Sequence, residues 1–181
     1  TNDGFTLAEM IVVKISGKSF GDFLQDRIFK PLGMSNSGLS LGRLQGKTNI
    51  AKFYRFDGKS EPLEVLSVLG CGGISSTPED LCKFANSFNT GGKSLLSEKS
   101  LAEMLKIQPS EYKSEQPENI ASWGLGWDFS ELTPFPEKDL VVYGKNGGTG
   151  QYSSMLFTVP SKRISVALIG SGQNFNATGI A

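Results

Sequence analysis

The segment from Gly144 to Tyr152 places a lone lysine, Lys145, directly before glycines and small polar residues. The lysine ammonium could hold a substrate carboxylate or favour the deprotonated form of a neighbouring group. The glycines expose backbone N–H groups, which pair with extended ligands or stabilise an oxyanion. A plain glycine-rich hairpin turn accounts for the same residues, so a catalytic and a structural interpretation both stay open. The segment is not a phosphate-binding loop, because it lacks the Gly-Lys-Ser/Thr ending.

The chain has 181 residues, no histidine and two cysteines, Cys71 and Cys82. A serine or cysteine nucleophile paired with histidine is therefore excluded from these residues. Zinc sites with imidazole ligands are excluded too, and two thiols are too few for an all-thiolate zinc site. We therefore expect no metal and no cofactor. The 18 Lys+Arg balance the 18 Asp+Glu, so the charge predicts no nucleic-acid partner. We expect both thiols to be free and partly buried.

The elements that must position the lysine begin with two helices near the start of the chain. Apolar residues at helical spacing predict the first over residues 5–16. The second is expected over about 19–29 by the same spacing. Pro31 and Gly33 end it, because Lys30 precedes a proline and is disfavoured in the helical conformation.

Two further helices carry start signals. Thr77 precedes Pro78, and a capping threonine before a first-turn proline is typical of a helix N-terminus. Ser97 caps a helix expected over about 98–107 in the same way. A loose alternation over residues 50–56 predicts a strand.

From Trp123 the hydrophobic pattern changes to a period of two, which is typical of strands. Strands are expected over 124–129, 140–143, 152–158 and 164–169, with Pro160-Ser161-Lys162 as the turn between the last two. Helices followed by antiparallel strands predict an α+β fold. We expect one partial domain, mainly helical over 1–122, with antiparallel strands and the start of a last helix over 123–181.

Several short tracts stand in a fixed order along the chain. They are Phe5 to Ser16, Gly17-Lys18-Ser19-Phe20, Ile28 to Met34, Gly72 to Leu81, and Gly124-Leu125-Gly126-Trp127. Asn2 stands where a Tyr-x-Asn motif would end, and Lys145-Asn146-Gly147 is similar to a Lys-Thr/Ser-Gly motif. Over essentially all 181 residues, this ordered set resembles the later portion of serine β-lactamases and penicillin-binding proteins. The resemblance is nearest to the class C β-lactamase branch and its esterase and D,D-peptidase relatives.

The resemblance implies a β-lactamase/transpeptidase-like fold, truncated at its N-terminus, in which helices pack on an antiparallel sheet. It also implies acyl transfer by a serine of a Ser-x-x-Lys motif, with that lysine and the Tyr-x-Asn tyrosine moving protons. Carried over by position, the catalytic roles fall to three residues. Asn2 would bond the motif lysine and the substrate amide. Lys145 would support the tyrosine and the substrate carboxylate, and Gly148 would provide an oxyanion-hole N–H. Asn146 and Gly147 would complete the substrate-binding set. Asn146 replaces the usual threonine or serine and presents no hydroxyl.

The tyrosine and the Ser-x-x-Lys motif that the resemblance implies would lie before Thr1. Ser110-Glu111-Tyr112-Lys113 matches Ser-x-x-Lys literally, but it lies in a polar loop and is interpreted as a chance match. Ser87-Phe88-Asn89 matches the Ser-x-Asn variant of the second motif and is interpreted as structural, because it ends a helix.

Other residues allow two interpretations. Trp127 could line a pocket, although packing in the core or at its rim explains it better. Tyr152 either flanks the site or packs on the sheet. The neighbouring carboxylates of Glu79 and Asp80 are interpreted as charges that favour a helix start.

The expected function is that of a C-terminal fragment of a β-lactamase, D,D-peptidase or esterase-type serine hydrolase. Its substrate would be a small molecule or peptide: a β-lactam, a D-Ala peptide or an ester. The fragment alone is expected to be inactive. The alternatives are a non-catalytic peptidoglycan- or β-lactam-binding sensor of the same fold, and an unrelated small α+β binding module. The family is usually secreted or at the cell envelope, and apolar faces left bare favour a dimer through an exposed sheet edge.

Overall fold

A computed structural model describes residues 2–44, 46–89, 91, 94–108, 122–132, 138–172 and 175–180. The helices are α1 (Asn2–Ser16), α2 (Phe20–Leu24), α3 (Lys30–Leu32), α4 (Ser40–Arg43), α5 (Leu69–Gly72), α6 (Pro78–Asn86), α7 (Glu98–Leu105) and α8 (Ala177–Ile180). The strands are β1 (Gly38–Leu39), β2 (Ile74–Ser75), β3 (Phe129–Leu132), β4 (Val142–Gly148), β5 (Tyr152–Val159) and β6 (Ile164–Ser171). Of the helices in these ranges, none has both the length and the apolarity of a transmembrane span.

The sheet that carries the lysine is antiparallel and follows the order β3-β4-β5-β6. Strand β5 pairs with β4 on one side and with β6 on the other, and both ladders run without a break. Helix α6 packs on β5 and β6, and α8 covers the same two strands at their other end. The predicted α+β fold is confirmed, and so is the hairpin at Pro160-Ser161-Lys162, which forms a 3₁₀ turn.

Helix α1 forms where the spacing of apolar residues predicts it, although it begins earlier, at Asn2. It ends at Gly17, whose φ of +67° suits a residue without a side chain. The helix packs on α5 and α2, yet no described residue of α1 is buried. Its apolar side chains lie exposed: Phe5, Leu7, Met10, Ile11, Val13 and Ile15.

The second predicted helix continues further than Lys30, and the expectation that Lys30 leaves the helical conformation is wrong. Lys30 has φ −64° and ψ −48°, and Pro31 lies in the first turn of α3. A π-helical turn, Gln25–Phe29, lies between α2 and α3. Such a turn changes the hydrogen-bond register, and Pro31 then occupies an early position that needs no N–H donor. The helix ends at Gly33 in the left-handed conformation, as predicted.

The helix starts predicted at Thr77 and Ser97 are confirmed. The Thr77 side chain accepts from the Asp80 backbone N–H at 3.3 Å, and Ser97 accepts from Ser100 at 3.2 Å. The strand predicted over 50–56 is wrong, because only one isolated bridge joins Tyr54 to Ser60 around a turn.

The strand predicted over 124–129 starts later than expected, since β3 begins at Phe129. The preceding residues turn instead, with Gly126 at φ +86° and the Gly124 N–H donating to the Trp127 carbonyl at 3.1 Å. The chance-match tetrapeptide at 110–113 lies outside the described residues.

Two clusters of buried side chains hold these elements together. The first consists of Leu24, Phe29 and Met34. In the second, Phe88, just after α6, packs edge-on against Trp127, with ring centroids 5.1 Å apart. Met155 of β5 is also buried, at 1% exposure. Trp127 is therefore a core residue, as the packing interpretation predicted. Both cysteines are free and partly buried, which confirms that expectation.

A buried carboxylate joins α6 to the loop before β1. Asp80 is fully buried and accepts from the Asn36 backbone N–H at 2.7 Å, from Ser37 Oγ at 2.9 Å and from Lys83 Nζ at 2.8 Å. Burial alone would raise the pKa of Asp80, but these hydrogen bonds outweigh it and hold the pKa below its ordinary value. The interpretation of Glu79-Asp80 as helix-start charges is thus incomplete, because Asp80 also links two distant segments.

Candidate active site

The motif residues lie in strand β4 and not in the loop that the sequence suggested. Lys145, Asn146, Gly147 and Gly148 stand opposite Leu156, Met155, Ser154 and Ser153 of β5. The strand continues through the glycines because a pleated ladder needs backbone groups and no side chains. The hairpin-turn alternative therefore applies only to the residues after Gly148.

Lys145 is held by one carboxylate and by its own strand. Its Nζ donates to Asp128 Oδ2 at 2.7 Å and to the Asn146 carbonyl at 2.7 Å, with a longer contact of 3.5 Å to Asn146 Oδ1. The side chains of Lys145 and Asp128 are 38% and 35% exposed. An ion pair so open to solvent contributes little to stability, but it fixes where the ammonium lies.

Asp128 is bound to β4 from the side where β3 begins. Its backbone N–H donates to the Gly144 carbonyl at 3.0 Å, and its Oδ2 accepts from the Asn146 N–H at 3.1 Å. The carboxylate thus takes the place of a strand partner for Asn146. Strand β3 starts opposite Gly144, so within the described residues no strand pairs with β4 beyond that point on this side.

Gly148 lies on the open part of this strand. Every second residue of an antiparallel strand points its N–H and C=O to the same neighbour. Since Gly144 and Asn146 bond to Asp128, Gly148 directs its backbone groups to the same side, beyond Asp128. A side chain at Gly148 would meet no atom within 4 Å, whereas one at Gly147 would lie 2.5 Å from Ser154 Oγ. A side chain at Gly147 would therefore have to displace the Ser154 hydroxyl, whereas the face of the strand at Gly148 is open.

The turn after Gly148 is bound by a segment from far back in the chain. Gly150 N–H donates to Glu64 Oε1 at 3.2 Å, while the Glu64 N–H donates to Gln151 Oε1 at 2.9 Å. Gln151 Nε2 also donates to the Pro62 carbonyl at 2.8 Å. These bonds join residues 86 to 89 positions apart. They hold the turn that follows the candidate oxyanion-hole residue.

Tyr152 packs against the same segment. Its hydroxyl donates to the Ala51 carbonyl at 2.6 Å, which agrees with the packing interpretation. Burial, together with the nearby charge of Glu64, raises the pKa of the Tyr152 phenol above its ordinary value. A phenol with a raised pKa stays neutral near pH 7 and is a poor general base.

Asn2 is not joined to the lysine strand by any described hydrogen bond. It begins α1, is exposed, and its carbonyl accepts from Thr6 Oγ1 at 3.3 Å. The other four predicted site residues are consecutive in β4. Ser87 and Asn89 are buried at the end of α6, and the Ser87 hydroxyl donates to the Phe84 carbonyl at 2.7 Å, as a structural role requires.

Comparison with known proteins shows which family the chain belongs to. The family model described as Beta-lactamase matches residues 1–180. The chain belongs to the Beta-lactamase family. It is 26% identical to Penicillin-binding protein 4 of Amycolatopsis lactamdurans over 93% of this chain and 46% of that protein. It is 27% identical to Penicillin-binding protein 4* of Bacillus subtilis (strain 168) over 86% of this chain and 36% of that protein. It thus spans less than half of the length of either relative.

Solved structures of the Beta-lactamase family fold resemble the chain over nearly its whole length. The octameric penicillin-binding protein homologue from Pyrococcus abyssi matches with a TM-score of 0.81 and 24% identity, over 99% of this chain and 40% of that one. D-amino acid amidase from Ochrobactrum anthropi SV3, in complex with D-phenylalanine, matches with a TM-score of 0.73 and 25% identity, over 95% and 54%. The fold implied by the sequence motifs is confirmed.

The sequence did not point to three residues of this candidate site: Asp128, Glu64 and Gln151. Asp128 follows Trp127 in a tract that the resemblance included, but nothing in the local pattern ties it to a lysine 17 positions later. Among the described residues no three His, Cys, Asp or Glu side chains come together in a way that could hold a metal ion.

Proposed function

We propose that the full-length protein carrying these residues is a serine hydrolase that transfers acyl groups from amide or ester substrates. One observation carries the proposal: Lys145 lies in the same strand as Gly148, which stands at a strand edge without a described partner. A fixed ammonium beside free backbone donors suits an acyl group that develops negative charge on its oxygen. The family match and the amidase likeness support a reaction of this class.

The roles follow from position. The open edge of β4 pairs with an extended small-molecule or peptide substrate through backbone hydrogen bonds. Gly148 N–H stabilises the oxyanion, Lys145 supplies positive charge beside the reacting group, and Asn146 and Gly147 form the floor under the substrate. Asn2 bonds the substrate amide from α1. The nucleophilic serine, its lysine and the tyrosine come from outside these residues, so the 181-residue chain alone turns over no substrate.

The test uses the full-length protein and its Lys145→Ala variant with nitrophenyl esters, nitrocefin and D-amino acid anilides. Loss of one preorganised charge or donor lowers kcat/KM by about 10²-fold or more. Lys59→Ala is the matched control, since that lysine is 77% exposed and lies outside the site. Turnover unchanged in Lys145→Ala, or turnover by the 181-residue chain alone, contradicts the proposal. Covalent labelling by a fluorescent penicillin without turnover would favour the non-catalytic sensor.

We also infer that the 181-residue chain self-associates through β6. This strand ends the described sheet, and Ile164 and Val166 on it are about half exposed. Unpaired strand edges with exposed apolar side chains pair readily with a second copy. Sedimentation velocity at rising concentration should show a dimer, and Val166→Lys should return it to a monomer. A monomer at all concentrations contradicts the inference.

A further inference from the structure

Two of the three donors of the Lys145 ammonium are bound within the chain. A lysine carries three N–H donors and no acceptor. In this chain Asp128 Oδ2 and the Asn146 carbonyl accept two of them at 2.7 Å, and Asn146 Oδ1 lies 3.5 Å away. A substrate carboxylate that bound the third donor would compete with Asn146 Oδ1 and would lie beside the carboxylate of Asp128.

Asp128 is the charged partner of Lys145, and its carboxylate holds a second donor as well. Its carboxylate also accepts the Asn146 N–H, and its backbone N–H is bonded to Gly144. Rotating the side chain away would leave the Asn146 N–H without its partner and leave Lys145 without its counter-charge. Asp128 is therefore fixed beside the open edge of β4.

The charges around the substrate edge argue against an anionic ligand. The charged side chains bonded to residues 145–150 in the described structure are Lys145, Asp128 and Glu64, one ammonium and two carboxylates. A carboxylate brought next to Lys145 would lie only a few ångströms from Asp128, and like charges at such distances repel. Placing a repulsive group against one class of ligand is a recognised route to specificity.

We propose that Asp128 determines the substrate class of this site. Its negative charge repels an approaching anion beside Lys145 and so selects amides and esters without a carboxylate next to the scissile bond over those that carry one. This inference rests on the proposed acyl-transfer function. Asp128 acts by excluding anionic substrates and takes no part in bond making.

The test compares two esters that differ by one charge, phenyl acetate and 3-carboxyphenyl acetate, with the full-length protein. The wild type should hydrolyse phenyl acetate with the higher kcat/KM. Asp128→Asn should shift the kcat/KM ratio by about tenfold or more towards the carboxylated ester, because the repelling charge is gone. Asp26→Asn is the matched control: it breaks a 2.6 Å ion pair with Lys18 far from this site and should leave the ratio at the wild-type value.

A measurement without any variant covers the case in which Asp128→Asn does not fold. Raising the ionic strength screens the repulsion, so the wild-type ratio should move towards the carboxylated ester as salt is added. A wild-type preference for the carboxylated ester, or a ratio unchanged by both salt and Asp128→Asn, overturns the inference and leaves the acyl-transfer proposal standing. Hydrolysis of neither ester, together with no turnover of the amide substrates, overturns both.

Discussion

Apolar side chains are buried in strand β5 but exposed in helix α1. In β5, Met155 and Leu156 are 1% and 6% exposed between β4 and β6. In α1, no described residue is buried, and Met10 and Ile15 are 62% and 80% exposed. Both elements form where their periodicity predicts, but only the strand finds its packing partners within the described residues.

The difference shows that a helix can form from its local sequence without its apolar face being buried. Helix α1 has the pattern of an amphipathic helix, and the apolar face of such a helix normally packs against the core. Strand β5, by contrast, is paired on both sides, and its apolar side chains Met155 and Leu156 are buried. The chain spans less than half of the curated relatives, so the two regions need not be equally complete in a longer protein.

The largest expected effect comes from matched methionine truncations in the two regions. Met155→Ala should lower the free energy of unfolding by about 3 kcal/mol, because it leaves a cavity in a closed core. Met10→Ala should change it by no more than about 0.5 kcal/mol in the 181-residue chain, since that side chain already faces solvent. Urea unfolding followed by circular dichroism measures both.

The same pair sharpens the comparison in the full-length protein. If Met10→Ala there costs as much as Met155→Ala, α1 is buried by residues outside this chain. Equal effects of the two variants in the 181-residue chain itself would break the comparison, because α1 would then have a partner that its exposure does not reveal.

The next effect concerns Asp80, which joins α6 to the loop before β1. Asp80→Asn should destabilise the protein by about 2 kcal/mol, because it weakens charge-assisted bonds to buried donors. Glu79→Gln is the control at the neighbouring position, where the side chain is 76% exposed and should matter little. A similar loss in both variants would show that the helix N-terminus, and not the buried link, is what Asp80 stabilises.

The pH dependence of that effect has a definite sign. The pKa of Asp80 is lowered in the folded protein, so the unfolded chain binds the proton more readily. The stabilisation is therefore present above the ordinary carboxyl pKa of about 4 and is lost as the pH falls towards the lower folded pKa. Unfolding at pH 7 and pH 3 should differ less in Asp80→Asn than in the wild type or in Glu79→Gln.

Short-range signals account for what the sequence predicted well. The caps at Thr77 and Ser97, the helix of α1 and the alternation of β5 and β6 depend on residues a few positions apart. The strand prediction for residues 50–56 was wrong because the apolar alternation there is loose and only one isolated bridge forms. The prediction that Lys30 leaves the helix was wrong because a π-helical turn upstream changed the hydrogen-bond register before the proline.

The sequence motif named residues that lie together in the structure, but it did not predict the charged side chains around them. The motif resemblance named Lys145 and Gly148, and the structure places them on one strand. Asp128 and Glu64 lie 17 and 86 residues from their partners, and no local pattern joins residues that far apart. The motif therefore named the residues at this edge of β4, whereas their strand conformation and their charged partners follow from the folded chain.

The smallest effect tests whether the turn after β4 is held from outside the sheet. Glu64→Ala removes the acceptor of the Gly150 N–H, a loss of about 1 kcal/mol of local stability. Amide exchange of Gly150 should then become about fivefold faster, as a 1 kcal/mol change in opening requires. Glu61→Ala is the control in the same segment, since Glu61 pairs with Arg55 and not with the turn.

Gln151→Ala separates the two halves of this connection. It removes the acceptor of the Glu64 N–H and the donor to the Pro62 carbonyl, but it leaves the Gly150 bond to Glu64 Oε1 in place. If the segment around Glu64 is held mainly by Gln151, both variants should speed Gly150 exchange equally, because the carboxylate moves away with its backbone. If Gly150 exchange stays at the wild-type rate in both variants, the turn is set by β4 and β5 alone, and the open edge at Gly148 owes its position to the sheet.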